Sequence, residues 1–158
     1  MAKKLKLHIK NKYDYKDKYK IIGICSHLKD YRICWNLNKK LDFRFKKIKD
    51  IKFEFDKKIK NILFSLYHQE EKDFITYYLI SNHRLNKILI PEQRQLDYIL
   101  IIKGPINTLK IQSIIKKIRQ INNVLTAYNI DMSLVKKTDD ILFDLELHIL
   151  NVKEKKKK

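Results

Sequence analysis

Residues 91–98 contain several ionisable and hydrogen-bonding side chains close together in the sequence. They read PEQRQLDY and interrupt an apolar run that resumes directly after them. The carboxylates of Glu92 and Asp97 could act as general acid and base, or as ligands of a hard cation. Because Arg94 and Tyr98 accompany them, a binding site for a polar ligand is a second interpretation.

The same stretch also fits a structural turn, and the pattern favours this interpretation. Pro91 has no N–H to donate within a sheet, so it naturally ends one strand, and Leu96 opens the next. Glu92 or Asp97 would then pair with Arg94 at the surface. Asp97 stands beside an otherwise uninterrupted apolar strand, and a carboxylate that faces a core needs fixed hydrogen-bond donors. We therefore expect a specific hydrogen-bond network at Asp97.

A second cluster lies in SHLKDYRICWNLNKK, where Asp30, Arg32 and Trp35 share one predicted helix with Ser26 as its N-cap. Its apolar positions recur at helical spacing: Leu28, Tyr31, Trp35 and Leu41. Trp35, the only tryptophan, lies on this stripe, so core packing is its favoured role. The alternative is a stacking platform of the kind used by RNA-binding proteins, and the helix could also dock a partner.

The net charge of +18 points to nucleic acid, an anionic membrane or an acidic partner. Its composition weakens that inference, because 31 of the 36 basic residues are lysine, while glycine, alanine and proline are scarce. Lysine, isoleucine, asparagine and tyrosine have A+T-rich codons, so genome composition alone could place lysine at surface positions. Arginine occurs only five times, although its planar guanidinium suits phosphate and base contacts better than the lysine ammonium does.

The helix predicted at about residues 108–121 carries a regular basic face. Its isoleucines form one apolar stripe: Ile111, Ile114, Ile115, Ile118 and Ile121. Its solvent face carries four basic residues: Lys110, Lys116, Lys117 and Arg119. This basic face is the candidate contact to an RNA backbone.

Metal and cofactor chemistry find little support in the sequence. The five histidines are scattered without an H-x-x-x-H pair, and Cys25 and Cys34 are nine residues apart without C-x-x-C spacing. Two glycines in the whole chain cannot form a glycine-rich phosphate loop. We predict no metal, no cofactor and no catalytic residue.

The elements that must position these residues are strands and helices in alternation. Apolar–polar alternation and short apolar runs predict strands at residues 5–9, 19–26, 41–48, 50–56, 61–69, 73–82, 96–103 and 122–131. Among them, 41–48 and 50–56 read as part of a meander, 61–69 and 73–82 as a hairpin, and 96–103 as a central strand. Residues 143–150 fit either a short strand or a frayed helix.

These elements predict an α+β fold, an antiparallel sheet with helices mainly on one face. Strand, helix and strand between residues 96 and 130 form a split β-α-β unit of the ferredoxin-like kind. Residues 1–150 read as a single domain, and residues 151–158 as a lysine-rich disordered tail.

The chain shows no sign of a membrane or a secretory route. No apolar run approaches the roughly 20 residues that span a bilayer. The N-terminal residues are basic but lack an apolar h-region of about 7 to 15 residues behind them. We therefore expect a cytoplasmic protein without a membrane partner.

Residues 90–98, IPEQRQLDY, resemble the signature of the bacterial IPExxxVDY family, with Leu96 where that signature has valine. Four further blocks are similar to blocks of the same family in the same order: GICSHLKDYRICWNLNKKL, FSLYHQEEKDFITYYLISN, LIIKG and VLTAYNID. The resemblance covers about residues 21–130. It implies a small bacterial cytoplasmic protein, and it brings no activity, cofactor or catalytic residue with it.

Three functions follow as hypotheses. The favoured one is a non-enzymatic binding module for RNA or an RNA-associated assembly, supported by the positive charge and the basic face. The second is a protein adaptor or homo-oligomer that uses an exposed sheet edge or the Trp35 helix. The third is an enzyme, which would need Glu92 or Asp97 in a concave site beside Arg94, His83 or Tyr98.

Overall fold

The structure, a computed structural model, describes residues 18–156, and at residues 70 and 71 it describes the backbone alone. The strands are β1 (Tyr19–Ser26), β2 (Lys46–Lys52), β3 (Leu63–Lys72), β4 (Ile75–Ser81), β5 (His83–Arg84), β6 (Lys87–Ile88), β7 (Tyr98–Lys103) and β8 (Val124–Asn129). The helices are α1 (Asp30–Leu41), α2 (Thr108–Arg119) and α3 (Thr138–Lys156). The strand predicted at residues 5–9 lies outside the described residues.

Six strands form one antiparallel sheet in the order β2-β3-β4-β7-β1-β8, and β5 and β6 form a separate small hairpin. The predicted α+β fold is confirmed. β7 lies between β4 and β1 and is buried along nearly its whole length, as its continuous apolar run predicted. β1 runs antiparallel to both β7 and β8, so these two strands are parallel with one strand between them. Strand β7, helix α2 and strand β8 are therefore the predicted split β-α-β unit.

The sheet is covered on both faces because successive strand residues point to opposite sides. On one face, α1 and α2 pack against Ile22, Leu100 and other apolar side chains of the central strands. On the other face, α3 packs against Tyr19, Ile101 and their neighbours. Two of the three helices in the described part of the chain thus share one face.

The apolar stripe predicted for α1 was wrong for Tyr31 and Trp35, which are exposed, whereas Leu28 and Leu41 are partly buried against the core. The helix begins at Asp30, after Lys29 as N-cap residue, and it buries Ile33, Cys34 and Leu37. The spacing of these residues forms a second, aliphatic stripe, and the sheet packs against it. Trp35 consequently lies on the outer side of α1, so the prediction of core packing for Trp35 was also wrong.

Ser26, predicted as the N-cap of this helix, is instead the last residue of β1. Its hydroxyl donates to the carbonyl of Asn123 (2.7 Å) and accepts the N–H of Leu28 (3.2 Å). Ser26 therefore joins the end of β1 to the turn before β8.

The two strands predicted at residues 41–48 and 50–56 are one strand, β2. A register shift between Ile48 and Ile51 keeps β2 paired with β3 on both sides of the irregularity. Phe45 before the strand packs under α1 and α2, whereas Phe53 after it packs on the α3 face. The alternating phenylalanines thus flank a single bulged strand, and the predicted meander was wrong.

The C-terminal segment is helical, and the prediction of a disordered tail was wrong for residues 151–156. Side chains at Ile141, Leu145 and Ile149 follow helical spacing and enter the core. Asp139 lies in the first turn of α3 and several lysines in its last, which favours both helix ends. Among residues 18–156, no helix is long and apolar enough to cross a membrane.

Candidate functional site

The two clusters that the sequence singled out meet where β1 leads into α1. The backbone N–H of Ser26 donates to a carboxylate oxygen of Asp97 (2.8 Å), and the Tyr98 hydroxyl donates to the carbonyl of Leu28. The backbone N–H of Asp97 donates to the carbonyl of Ile24 (2.9 Å). The network expected at Asp97 is present, and it fixes the segment that enters α1.

Asp30 continues this network into the helix. One of its carboxylate oxygens accepts the N–H of Tyr31 (2.9 Å), and the other accepts the hydroxyl of Tyr67 (3.1 Å). Burial, and next the charge of Asp30, raise the pKa of Cys34 to about 11 and raise the pKa of Tyr67 and Tyr98 as well. These groups therefore stay protonated near neutral pH and act as hydrogen-bond donors or packing groups.

Cys25 completes the set of groups around Asp97. Burial, followed by the Asp97 carboxylate, raises the pKa of the Cys25 thiol. A thiol is a good nucleophile only as thiolate, so this environment disfavours covalent chemistry at Cys25. We refer to Ser26, Asp30, Tyr67, Asp97 and Tyr98 together as the seam.

The turn that precedes the seam is held by a residue that sequence reasoning missed. Asn82, the last residue of the strand predicted at 73–82, is fully buried, and its amide oxygen accepts the N–H of Ile90 (2.8 Å). Its amide nitrogen donates to the carbonyls of Gln93 (3.0 Å) and Leu96 (2.9 Å). An asparagine before a charged loop gives no signal of burial in the sequence, because its three partners lie 8 to 14 positions away.

Leu96 anchors the turn in the core. It is fully buried, and a Cβ atom added at Gly23 would lie 2.2 Å from its side chain. Gly23 therefore leaves the space that Leu96 fills. Together with Pro91 at the start of a 3-10 turn, this packing supports the interpretation of a structural turn.

Glu92 and Arg94 point away from the seam. Both are exposed, and a carboxylate oxygen of Glu92 accepts the backbone N–H of Lys136 (3.2 Å). The ring nitrogen Nε2 of His83 lies 2.8 Å from the backbone carbonyl of Arg94. Among residues 18–156, no ion pair joins Arg94 to Glu92 or Asp97. The expected pairing is therefore wrong, and the two carboxylates do not converge.

The outer surface of α1 exposes the aromatic residues that were assigned to the core. Trp35 is 59% exposed and Tyr31, one turn earlier, is 58% exposed. The ammonium of Lys39 lies 4.9 Å from the centroid of the Trp35 ring, in cation–π geometry. A groove of about 470 Å³ runs beside them, and its lining is Leu28, Tyr31, Arg32, Trp35, Asn36, Asn122 and Asn123. We call this surface the aromatic groove.

The basic face of α2 lies on the same helical layer as the aromatic groove. Lys110, Lys116, Lys117 and Arg119 are all exposed, as the sequence predicted. The Nε–H of Arg119 donates to the carbonyl of Ala127 (2.7 Å), which fixes its stem against β8. α1 and α2 together carry seven basic residues and one acidic residue, Asp30.

The tyrosines of the sheet do not form an open aromatic surface. Tyr67, Tyr77 and Tyr98 are buried beneath α1 and α2, while Tyr19 and Tyr78 are buried on the α3 face. RNA recognition by bases stacked on a bare sheet is therefore excluded for these residues. Among the described aromatic residues, an RNA base can stack only on an exposed side chain such as Trp35 or Tyr31.

A larger cleft, of about 940 Å³, lies between α3 and the end of the sheet. In it, the Lys103 ammonium lies 3.2 Å from a carboxylate oxygen of Glu146, and the Tyr19 hydroxyl donates to the same oxygen. These residues come from three distant segments, so no local motif could indicate them. We call this site the α3 cleft.

Within the described residues, no group of three or more His, Cys, Asp or Glu side chains is placed to hold a metal ion. A comparison of the chain with known protein families found no match, and a comparison with curated proteins found none either. The candidate functional surfaces are therefore the aromatic groove with the basic face of α2, and the α3 cleft.

Proposed function

We propose that this protein is a non-enzymatic module that binds single-stranded RNA through the outer surface of α1 and α2. The observation that carries the proposal is the exposed Trp35 ring, 59% accessible, with Tyr31 one turn away. Stacking of a base on an aromatic side chain contributes about 1–3 kcal/mol and tolerates any sequence. The lysines of α1 and α2 supply the phosphate contacts that such binding needs.

The distribution of basic residues among the three helices indicates that the basic surface of α1 and α2 reflects more than a lysine-rich composition. α1 and α2 carry seven basic residues against one acidic residue, whereas α3 carries three against five. A codon bias toward lysine would act on all three helices alike. The contrast between the helices therefore favours selection for a basic surface on the α1–α2 side.

A protein adaptor is the second candidate, and the composition of the aromatic groove favours it. Tryptophan, tyrosine and arginine dominate the energetics of protein interfaces, and Trp35, Tyr31 and Arg32 line this groove together. An adaptor would bind through apolar contacts, so its affinity would depend weakly on salt. RNA binding would weaken steeply with salt, because phosphate contacts release counterions.

We do not propose an enzyme that uses Glu92 or Asp97. The Asp97 carboxylate accepts the N–H of Ser26, and Glu92 accepts the N–H of Lys136. Neither of them lines the aromatic groove or the α3 cleft. These contacts favour a role in the fold for both carboxylates.

We further propose that the chain is a bacterial cytoplasmic member of the IPExxxVDY family, on the strength of the resemblance alone. The last three residues of the signature have structural roles, which supports the interpretation of the signature as a structural motif. Leu96 fills the space beside Gly23, Asp97 accepts the N–H of Ser26, and the Tyr98 hydroxyl reaches the carbonyl before α1.

The single tryptophan makes the RNA proposal directly testable. We would titrate the protein with a single-stranded RNA of about 12 nucleotides and follow Trp35 fluorescence at about 50 and about 200 mM salt. Stacking on Trp35 should quench its emission, and the midpoint should move to higher RNA concentration at the higher salt. A duplex of the same sequence serves as control, because paired bases cannot stack on the side chain.

Two outcomes would overturn the proposal. Unchanged Trp35 emission at saturating RNA would show that the aromatic groove does not take a base. Capture of a protein from lysate that survives both nuclease and high salt, and that quenches Trp35, would instead support the adaptor.

A further inference from the structure

The α3 cleft has the size and the basic lining of a ligand site, and it plays no part in the proposed RNA binding. Its volume of about 940 Å³ is at the upper end of small-molecule pockets. Its described lining includes three lysines, Lys18, Lys103 and Lys153, and one carboxylate, Glu146. Lysines therefore outnumber carboxylates among the described residues that line this cavity, which lies on the opposite side of the sheet from the aromatic groove.

Lys103 lines the α3 cleft and is held there by two contacts. Its ammonium lies 3.2 Å from Glu146 and 5.8 Å from the centroid of the Tyr19 ring, and Tyr19 donates its hydroxyl to Glu146. An ammonium has three N–H donors, and the ion pair with Glu146 takes one of them. A lysine fixed in this way loses little further freedom when it binds an anion.

The rim of the cleft carries an aromatic ring that packing does not explain. Phe74 is 78% exposed and has a φ of 67°, a conformation that suits glycine or asparagine better than a bulky residue. A Cβ atom added at Gly104 would lie only 2.2 Å from the backbone carbonyl oxygen of Phe74, so the absence of a side chain at Gly104 lets this turn pack closely beside it. Ile149 and Leu150 of α3 add apolar wall to the same site.

We propose that the α3 cleft binds a small aromatic phosphate of the nucleoside monophosphate class. A phosphate monoester carries about −1.5 to −2 charges at pH 7, and Lys103 and Lys153 of the described lining can donate hydrogen bonds to it. Lys103 and Lys153 contact the phosphate, and the exposed ring of Phe74 stacks on the aromatic body. No covalent step is involved, and the site acts by binding alone.

The two glycines of the chain provide a direct readout of this binding. Gly104 lines the α3 cleft, whereas Gly23 is buried beside Leu96, so selective ¹⁵N-glycine labelling gives one amide signal at the site and one away from it. Adenosine 5′-monophosphate is the probe, with adenosine and inorganic phosphate as partial ligands. We expect a saturable shift of the Gly104 signal, with the Gly23 signal unchanged.

Two substitutions separate the two halves of the site. Lys153→Gln removes an exposed charge near the end of α3, and it should weaken both the monophosphate and inorganic phosphate by about threefold to tenfold. Phe74→Asn suits the positive φ, so it should not harm the fold, and it should weaken the monophosphate but not inorganic phosphate. Lys117→Gln on α2 is the matched charge control, and Trp35→Ala excludes stacking in the aromatic groove.

Three results would overturn the proposal. One is the absence of a saturable Gly104 shift with millimolar monophosphate. Another is adenosine binding as tightly as its monophosphate, which would remove the role of the lysines. The last is monophosphate binding that is unchanged in both Lys153→Gln and Phe74→Asn but lost in Trp35→Ala, which would assign the ligand to the aromatic groove.

Discussion

The turn at residues 90–98 and the outer surface of α1 carry similar kinds of side chain, and the fold uses them in opposite ways. At the turn, the polar groups of Asp97 and of Asn82, which precedes the turn in the chain, bind backbone partners inside the protein. On α1, Trp35 and Tyr31 are more than half exposed. The polar groups at the turn already have hydrogen-bond partners within the protein. The exposed rings of α1 can still contact a partner, so the outer surface of α1 is the better candidate for a functional site.

The largest expected effect is the loss of stability when the buried Leu96 side chain is removed from the turn. Leu96→Ala removes a fully buried side chain, and it should lower the free energy of unfolding by about 3–5 kcal/mol. Urea denaturation followed by circular dichroism measures this change.

A double-mutant cycle with Gly23→Ala tests the packing of these two residues. Gly23→Ala alone should destabilise the protein, because its Cβ atom would lie 2.2 Å from the Leu96 side chain. In the Leu96→Ala background the same methyl group enters vacated space, so its cost should shrink or reverse. Additive effects of the two substitutions would contradict the proposed contact.

Asn82→Ala should have the next largest effect. It leaves the N–H of Ile90 and the carbonyls of Gln93 and Leu96 without their partner inside the protein. The expected loss is about 2–4 kcal/mol, also measured by urea denaturation. Asn151→Ala, which removes the same amide from an exposed position of α3, is the control and should change stability by no more than about 0.5 kcal/mol.

The elements of the fold that depend on short-range pattern could be predicted from the sequence. β1, β7, α2 and β8 follow from local periodicity and their turn signals, and this was enough for the split β-α-β unit. α1 was also predicted, but its buried side was not, because Ile33 and Leu37 compete with Tyr31 and Trp35 for the same sheet. Only the packing partner decides between two stripes on one helix.

The candidate site was less predictable because its contacts are long-range. The bond from Ser26 to Asp97 spans 71 positions, and that from Tyr19 to Glu146 spans 127. A residue type such as Asp97, a carboxylate beside an apolar run, can signal that partners are needed. It cannot signal which segment supplies them.

High pH should destabilise the protein through Cys34, a buried thiol of α1 that lies close to Tyr67 of the seam. Burial raises the pKa of Cys34 from an ordinary value of 9.0 to about 11, so the unfolded chain loses this proton first. The stabilising contribution is therefore complete below about pH 9 and falls as pH rises through the window to about 11. Urea denaturation of wild type and Cys34→Ala at about pH 8 and about pH 10.5 measures it.

The comparison with Cys34→Ala isolates the thiol, because lysine deprotonation affects both proteins alike. The wild type should lose more stability than Cys34→Ala between the two pH values. An equal loss in both proteins would contradict the assignment of the raised pKa to a buried, protonated Cys34.

Trp35→Ala should separate the two regions most clearly, since it should change binding without changing the fold. We expect RNA affinity to fall by about fivefold to 150-fold, equivalent to about 1–3 kcal/mol of stacking. Because Trp35 is 59% exposed, the free energy of unfolding should change by no more than about 0.5 kcal/mol. Fluorescence anisotropy of a labelled RNA measures affinity, and Leu134→Ala, another exposed apolar residue, is the control. A fall in stability with unchanged affinity would assign Trp35 to the fold.

The smallest expected effect is a change in the salt dependence of RNA binding. It compares two exposed lysine pairs at different places on the molecule. Lys116 and Lys117 lie on the basic face of α2, whereas Lys136 and Lys137 lie beside the turn, where the N–H of Lys136 binds Glu92. If the α1–α2 surface tracks the RNA backbone, Lys116→Gln/Lys117→Gln should reduce the slope of log affinity against log salt by about 1.4. Lys136→Gln/Lys137→Gln removes the same charge and should leave that slope nearly unchanged. Equal reductions in both doublets would mean that RNA responds to net charge alone, and the distinction between the aromatic groove and the turn would then hold for stability only.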